Sequence, residues 1–476
     1  MSALTSDNAG MTSPRRRLLA RLGKLVETRM GLHFSTARLG DLERGIRAAA
    51  GGFGFNDAGS CMEWLLSANL SHRQMDTLAG YLTVGETYFF RDKRIFEILE
   101  TQLLPGIIKL RRGVAQNLRI WSAGCATGEE PYSLAILLTR ILPDLTDWNI
   151  SILATDISSS ALNRASEGVY GEWSFRDTPG WVKEGCFERI NQSFRINSRI
   201  KRMVSFSPLN LAEDPYPAII TQTNAMDIIF CRNVLMYFSR DRADAVIHHL
   251  ARCLVDRGWL VTSPVEAPGA GLSPLLHPVH FPGAILYKKE VRPKEAIASR
   301  IAIPETPQIR KKSVAAINTR AARTRWQNTI QPLTEEKKGD IGQRSHQVRL
   351  LADQGKIADA LAVCEEAITS DKLDPSLHYL QASILQEMGR ANDAAASLKR
   401  AIYIDQEFVI AHFALGHLFQ RQGRYKEAGK HLEKAESLLK SHGLGDMPPE
   451  AEGLSAARLI ELINTMQERR QPEVIS

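Results

Sequence analysis

Between residues 14 and 80 apolar positions recur at helical spacing. Leu39, Leu42, Ile46 and Ala49 share one stripe, while Arg44 and Arg47 fall on the opposite side of the same helix, as a solvated face would. From residue 118 the period changes. A short apolar run, Leu118–Trp121, leads into the small-residue loop Ser122–Gly128 and then into Glu129-Glu130-Pro131, where proline suits a first helical turn. Further short runs follow at Ile150–Thr155, Val204–Ser207, Ile228–Cys231, Trp259–Thr262 and Ala284–Tyr287, with a helical stretch at Ser158–Ala165. Strands alternating with helices predict a largely parallel sheet covered on both faces, in which ligands sit at the carboxyl ends of the strands.

The C-terminal third has a different rhythm. Gly355, Gly389 and Gly423 lie 34 residues apart, as do Ala360, Ala394 and Ala428, and Ala367, Ala401 and Ala435. That period, with small residues where paired helices touch, is the signature of tetratricopeptide repeats. The third unit carries it most fully, in Leu415-Gly416, Phe419, Tyr425, Ala428, Leu432 and Ala435, and Leu459, Ile460, Leu462 and Ile463 form an apolar stripe for a capping helix.

Composition narrows the classes. The 476 residues exceed one core, and 44% apolar with 24% charged residues is ordinary globular usage. No apolar run approaches a membrane span, and Leu18–Val26 is interrupted by Arg21 and Lys24, a poor signal-peptide core, so a cytoplasmic location is expected. Six dispersed cysteines without a C-x-x-C pair argue against a disulfide framework or a zinc site, and the twelve histidines form no metal-binding spacing, so no metal is expected. The net charge of +7 is local: Lys288–Arg325 holds eleven Lys/Arg against three Asp/Glu, leaving the rest of the chain close to neutral. The proline-bearing stretch from Arg292 to about Asp340 reads as a solvated linker; with Trp326 as its one aromatic residue, it is a poor nucleic-acid surface.

Three places carry chemistry. The aromatic triplet Tyr88-Phe89-Phe90 runs into Arg91, setting a cation beside an apolar wall where a carboxylate could be gripped; a helix-to-helix corner with a snorkelling arginine would look the same. Asp156, at the end of the second strand, suits the ribose-binding acid of nucleotide-binding folds or the cap of the following helix. Arg232 and Asn233 end the buried run Ile228–Cys231.

Taken together, TVGETYFFRD (83–92), SAGCATGEEPYS (122–133), ATDIS (154–158), SPLNL (207–211) and CRNVLMYF (231–238) resemble, in order and spacing, the chemotaxis receptor methyltransferases of the CheR family over roughly residues 14–290. The resemblance implies a multidomain chain. An all-α N-terminal domain (14–90) packs against an α/β, Rossmann-like, S-adenosylmethionine-dependent methyltransferase domain (91–290) with a small β insertion near 172–202. A basic linker (291–340), three tetratricopeptide repeats (341–442) forming an all-α domain, and a capping helix and tail (443–476) complete it.

By the same resemblance Gly85, Thr87 and Arg91 lie at the cofactor, Arg91 also facing the reacting centre. Glu129 and Glu130 form the acidic end of the first loop, either of which could contact the cofactor. Asp156 is the ribose acid, Asn210 and Leu211 lie beside adenine, Asn233 and Val234 beside the methionyl part, and Tyr237 at methyl transfer. Two departures are visible: Gly85 stands where the family usually has Asn, and Thr262-Ser263-Pro264-Val265-Glu266 replaces Gly-His-Ser-Glu, keeping only the acid.

The implied reaction moves methyl from S-adenosylmethionine to glutamate side chains on the cytoplasmic domain of a chemoreceptor, leaving S-adenosylhomocysteine. A glutamate is already anionic at neutral pH, so no base is needed, only positioning and removal of water. Arg91 and Tyr237 are the expected catalytic pair, as orienting donors, and Arg44 and Arg47 are expected to face the receptor's acidic methylation helices. Asn233 is followed by Val-Leu-Met rather than Pro-Pro-aromatic, which disfavours a nucleobase methyltransferase. The repeats would recruit or regulate through an unknown protein partner, without membrane insertion, bringing the enzyme to membrane receptor arrays. A different class of function, a cofactor-sensing or empty scaffold working through its repeats, is the alternative.

Overall fold

Four N-terminal helices bury their apolar stripes against one another: α1 (Pro14–Met30), α2 (Leu39–Ala50), α3 (Ala58–Ser67) and α4 (His72–Leu82). Leu42, Ile46 and Ala49 of α2 are fully buried, as the helical period predicts. Asp57 caps α3 by accepting from the Ser60 amide, and a Ser71–Gln74 capping box starts α4. The computed structural model describes residues 14–68, 70–83, 85–114, 116–266, 273–290, 335–441 and 443–468; most of the expected linker, 291–334, and the end of the expected tail, 469–476, lie outside the described residues.

A helix with a π-turn in its middle, α5 (Lys93–Ile98) and α6 (Leu104–Arg111), leads into the sheet. The strands are β1 (Asn117–Ala123), β2 (Asn149–Asp156), β6 (Val204–Pro208), β7 (Met226–Phe230), β8 (Leu254–Val261), β9 (Leu276–Phe281) and β10 (Ala284–Lys289), in the order β6-β2-β1-β7-β8-β10-β9. The first five pair in parallel; β10 runs antiparallel to both β8 and β9. Helices α7 (Glu129–Ile141), α8 (Ser159–Glu167) and α11 (Arg240–Cys253) cover the sheet. The expected mostly parallel α/β domain, flanked by helical regions, is therefore present. Strand β9 is an addition to that expectation. Its sequence, Leu-His-Pro-Val-His-Phe, breaks strand patterning with Pro278, which an edge strand tolerates because it need not donate on its outer side.

A second, three-stranded sheet, β3 (Val169–Tyr170), β4 (Phe187–Ile190) and β5 (Ser193–Ile196) in the order β3-β5-β4, stands beside the main one with α9 (Gly180–Cys186) and α10 (Ser198–Lys201). Phe89 is buried in its aromatic core, stacked on Phe175 at 5.0 Å and edge-on to Tyr170 and Phe187. The aromatic triplet thus anchors the segment before Arg91.

The last region is built from helices, α12 (Glu335–Asp353), α13 (Ile357–Ser370), α14 (Pro375–Glu387), α15 (Ala391–Ile404), α16 (Val409–Arg421), α17 (Tyr425–Lys440) and α18 (Ala456–Glu468), among the described residues. The 34-residue periodicity has a plain cause. Gly355, Gly389 and Gly423 all take φ near +74°, at the turn between the two helices of each pair, and the periodic alanines are buried where the helices touch.

One face of this module meets the start of the parallel strands. Asn149 donates to the Glu387 carbonyl at 2.7 Å and Asn224 to its carboxylate at 3.1 Å, with Arg119 3.5 Å from the same carboxylate. Ile219 and Ile220, from the loop between β6 and β7, pack against the repeat core, and the Ile220 amide donates to Glu452. Among the described residues, no helix is long and apolar enough to cross a membrane.

Candidate functional site

Strand order reverses beside β1, which connects to β2 on one side and lies against β7 on the other, so their loops splay apart at the carboxyl edge and open a crevice. A cavity of about 350 Å³ occupies it, in the range of small-molecule sites. The first loop forms its floor. The Gly124 and Cys125 amides both donate to the Thr155 carbonyl, tying the loop to the end of β2. Gly124 has φ +81°, and a Cβ there would collide with Val234, so the β1 and β7 loops can meet only because residue 124 is glycine.

Asp156 lines this cavity, with Oδ2 accepting from the Ala126 amide and Oδ1 from the Ser158 amide, both at 2.9 Å. Burial pushes its carboxyl above the usual range, opposed by these amide donors. The cap of α8 is Ser158, whose hydroxyl accepts from the Ala161 amide, so the capping alternative for Asp156 falls away. Two carboxylate oxygens carry about four lone-pair sites, which leaves capacity for ligand hydroxyls.

The two glutamates of the first loop separate. Glu130 lines the cavity, accepting from Ser122 at 2.7 Å and from Arg232 at 3.2 Å. Glu129 is buried behind it, bonded to Thr127 and Ser174, and burial raises its pKa. Its position is structural, beside the small sheet rather than in the cavity.

Asn233 takes φ +59°, a conformation asparagine tolerates better than most residues. That turn is held by Glu266, whose carboxylate accepts from the amides of Asn233 at 2.6 Å and Met236 at 3.1 Å, and from the Ser263 hydroxyl. The one acid retained after β8 is thus the strut of the β7 loop. Its role was invisible as a role because nothing in sequence links positions 33 apart. Arg232, also buried, bridges the Arg91 carbonyl, Glu130 and Asp92, fastening the segment after the aromatic triplet to the sheet.

Gly85, Thr87, Arg91, Asn210, Leu211, Asn233, Val234 and Tyr237 all line the same cavity, so ten of the eleven residues expected around cofactor and transfer are brought together and Glu129 is not. Arg91 donates to the Glu86 carbonyl at 2.7 Å and lies 5.9 Å from the Tyr88 ring. The helical domain closes the cavity with Met30, Leu32, Gly80 and Thr83, contributions its helical pattern did not announce. A bridge between Leu32 and Phe238, and the His33 amide donating to the Tyr237 carbonyl at 2.7 Å, join that domain to the β7 loop. Arg44 and Arg47 lie away from the cavity on the exposed side of α2, each paired with an acid of its own helix, Asp41 and Glu43. Among the described residues, no cluster of His, Cys, Asp or Glu could hold a metal ion.

These features fit S-adenosylmethionine: an acid for ribose hydroxyls, a glycine-permitted close approach of two loops, and a largely apolar wall. Comparison with known proteins agrees. Residues 85–267 match the CheR methyltransferase, SAM binding domain, and residues 375–408 and 409–438 match the tetratricopeptide repeat. A chemotaxis protein methyltransferase of Borreliella burgdorferi is 32% identical over 223 residues, 46% of this chain and 77% of that one. Another, from Vibrio parahaemolyticus, is 34% identical, covering 46% and 82%. The probable biofilm formation methyltransferase WspC of Pseudomonas aeruginosa is 28% identical across 74% of this chain and 82% of its own, reaching beyond the catalytic region. With the cofactor crevice, the ordered motifs and these relatives in agreement, the chain belongs to the CheR family of S-adenosylmethionine-dependent methyltransferases.

Proposed function

We propose that this enzyme methylates glutamate side chains in the cytoplasmic helices of a chemoreceptor. The observation that carries this reading is that Arg91 and Tyr237, from two different loops, both line the cavity assigned to the methyl donor, which the helical domain helps to close. When bound, S-adenosylmethionine would supply a sulfonium methyl whose carbon a carboxylate oxygen can attack, a C–O bond forming as the C–S bond breaks and its electron pair stays on sulfur in the departing thioether. A carboxylate is already the nucleophile, so this chain's residues have only to orient it and strip its water. Arg91 suits a single-point contact: one of its donors is already held by Glu86, and a tight clamp would stabilise the ground state. Tyr237 suits a second orienting contact from the opposite loop. Relatives named chemotaxis protein methyltransferase support the choice of acceptor.

The test is transfer of labelled methyl to purified chemoreceptor cytoplasmic fragments by the full chain. Label released as methanol by mild base is the expected result, since esters hydrolyse there. Base-stable label, or no transfer to any fragment by a chain that binds the cofactor, overturns the reading.

Arg44 and Arg47 extend the proposal to receptor docking, because both project from α2 on the exposed side of the helical domain. Arg44→Glu/Arg47→Glu is expected to raise the receptor KM about three- to tenfold, less at high salt, as exposed charges steer weakly and are screened. A receptor KM unchanged at low salt removes both residues from the docking surface.

A further inference from the structure

An arginine of the last helix grips the turn that forms one wall of the cofactor crevice. Arg458, near the start of α18, is nearly buried and grips Asp214 with two donors, Nε to Oδ1 at 3.1 Å and a terminal nitrogen to Oδ2 at 2.8 Å. Its other terminal nitrogen is held by Glu461 at 3.1 Å, one helical turn on, which fixes the plane of the guanidinium. Asp214 in turn accepts from the Asn210 amide at 2.6 Å, while its own amide donates to the Asn210 carbonyl at 2.9 Å. The turn from Pro208 to Asp214 is therefore closed on itself by Asp214 and held from outside by Arg458, which also approaches the Pro208 carbonyl at 3.5 Å. The same turn presents Leu209, Asn210 and Leu211 to the cofactor cavity, and the Leu209 amide is bonded to the Asp156 carbonyl.

We propose that Arg458 is a positioning residue for the methyl donor: through Asp214 it sets the backbone of the 208–214 turn, and so couples the seating of the C-terminal helical module to cofactor affinity. This rests on the assignment of Asn210 and Leu211 to the cofactor wall. Two physical points support a specific role over generic domain adhesion. First, the pair is bidentate and nearly dry, the geometry in which an arginine–carboxylate contact orients as well as attracts. Second, the module's hydrogen bonds to Asn149, Asn224 and Ile220 fall at the opposite, amino-terminal edge of the sheet, whereas the Arg458 pair falls on the turn beside the cofactor cavity. Arg458 reaches the crevice one step removed, through the turn whose Leu209, Asn210 and Leu211 line it.

The experiment uses the full chain and calorimetric titration with S-adenosylhomocysteine, each variant held well below its own unfolding midpoint. Arg458→Met is expected to weaken binding about tenfold, the loss of one charge-assisted anchor, and Arg458→Lys to recover part of that while keeping the charge but not the fork. The cofactor KM should rise by the same factor. A merely adhesive role would lower the unfolding midpoint and leave the dissociation constant alone; that result in folded Arg458→Met overturns the proposal. Should Arg458→Met fail to fold, Arg458→Lys decides by the same criterion, with wild-type affinity as the overturning result. Asp156→Ala, run in parallel, separates the two failures: if it retains binding, the cofactor wall itself was misassigned, whereas if it loses binding and the Arg458 variants do not, the positioning role alone is wrong.

Discussion

Asp156→Ala is expected to weaken binding of S-adenosylhomocysteine by about 100-fold or more, with the chain still folded by circular dichroism. Two contributions add. The substitution removes a charged acceptor for ribose hydroxyls, worth about 1.5–3 kcal/mol for each charged hydrogen bond. It also frees the Ala126 and Ser158 amides that the carboxylate now ties together across the mouth of the crevice. Asp156→Asn discriminates between them: the amide keeps one acceptor but turns a donor toward the other backbone N–H, so it should bind less well than wild type despite near-identical shape. Calorimetry within about threefold of wild type for Asp156→Ala would remove the residue from the cofactor site.

Arg91→Ala is expected to behave differently, lowering receptor methylation by about 100-fold while changing the cofactor dissociation constant by less than about threefold. The first number follows from orientation, where misplacing a reacting group by about an ångström costs roughly two orders of magnitude. The second follows from the structure around the residue: its backbone carbonyl, not its side chain, is the acceptor for Arg232, so the fastening of this segment survives the substitution. Arg91→Lys should recover part of the rate, because a single-point contact needs charge and reach more than a fork. Turnover equal to wild type in Arg91→Ala would leave Tyr237 and the cavity shape to orient the carboxylate without it.

Much of the architecture was legible because periodicity and local chemistry agree. The runs near 118, 150, 204, 228, 259 and 284 are short and apolar-rich between helical stretches, and each appears as a strand of the sheet. The repeat glycines were legible because a left-handed turn has so few alternatives. Strand β9 was not, since Pro278 and two histidines hide an edge strand that depends on β10 for its pairing. The candidate site divided in the same way. Asp156 and Asn233 sit at strand ends, where position along the chain predicts position in space. Glu129 and Glu130 are adjacent, and only the three-dimensional start of α7 decides that one faces the cavity and its neighbour the small sheet. Glu266 and Arg458 act across 33 and 244 residues of chain, a distance no local pattern carries.

The face built from α14 and α16 is already in use. Tyr379, Ser383, Phe413 and His417 look onto the 219–224 loop and the start of the sheet, so this chain is its own ligand there. A tethered occupant acts at a local concentration of the order of millimolar. Any protein that sought the same surface would meet that competitor first, and its apparent affinity would be its intrinsic affinity scaled down by the fraction of molecules with the module swung away. Repeat modules of this kind are usually valued for what they leave open; in this chain, recognition through that surface would be a displacement reaction, with a threshold set by the chain itself.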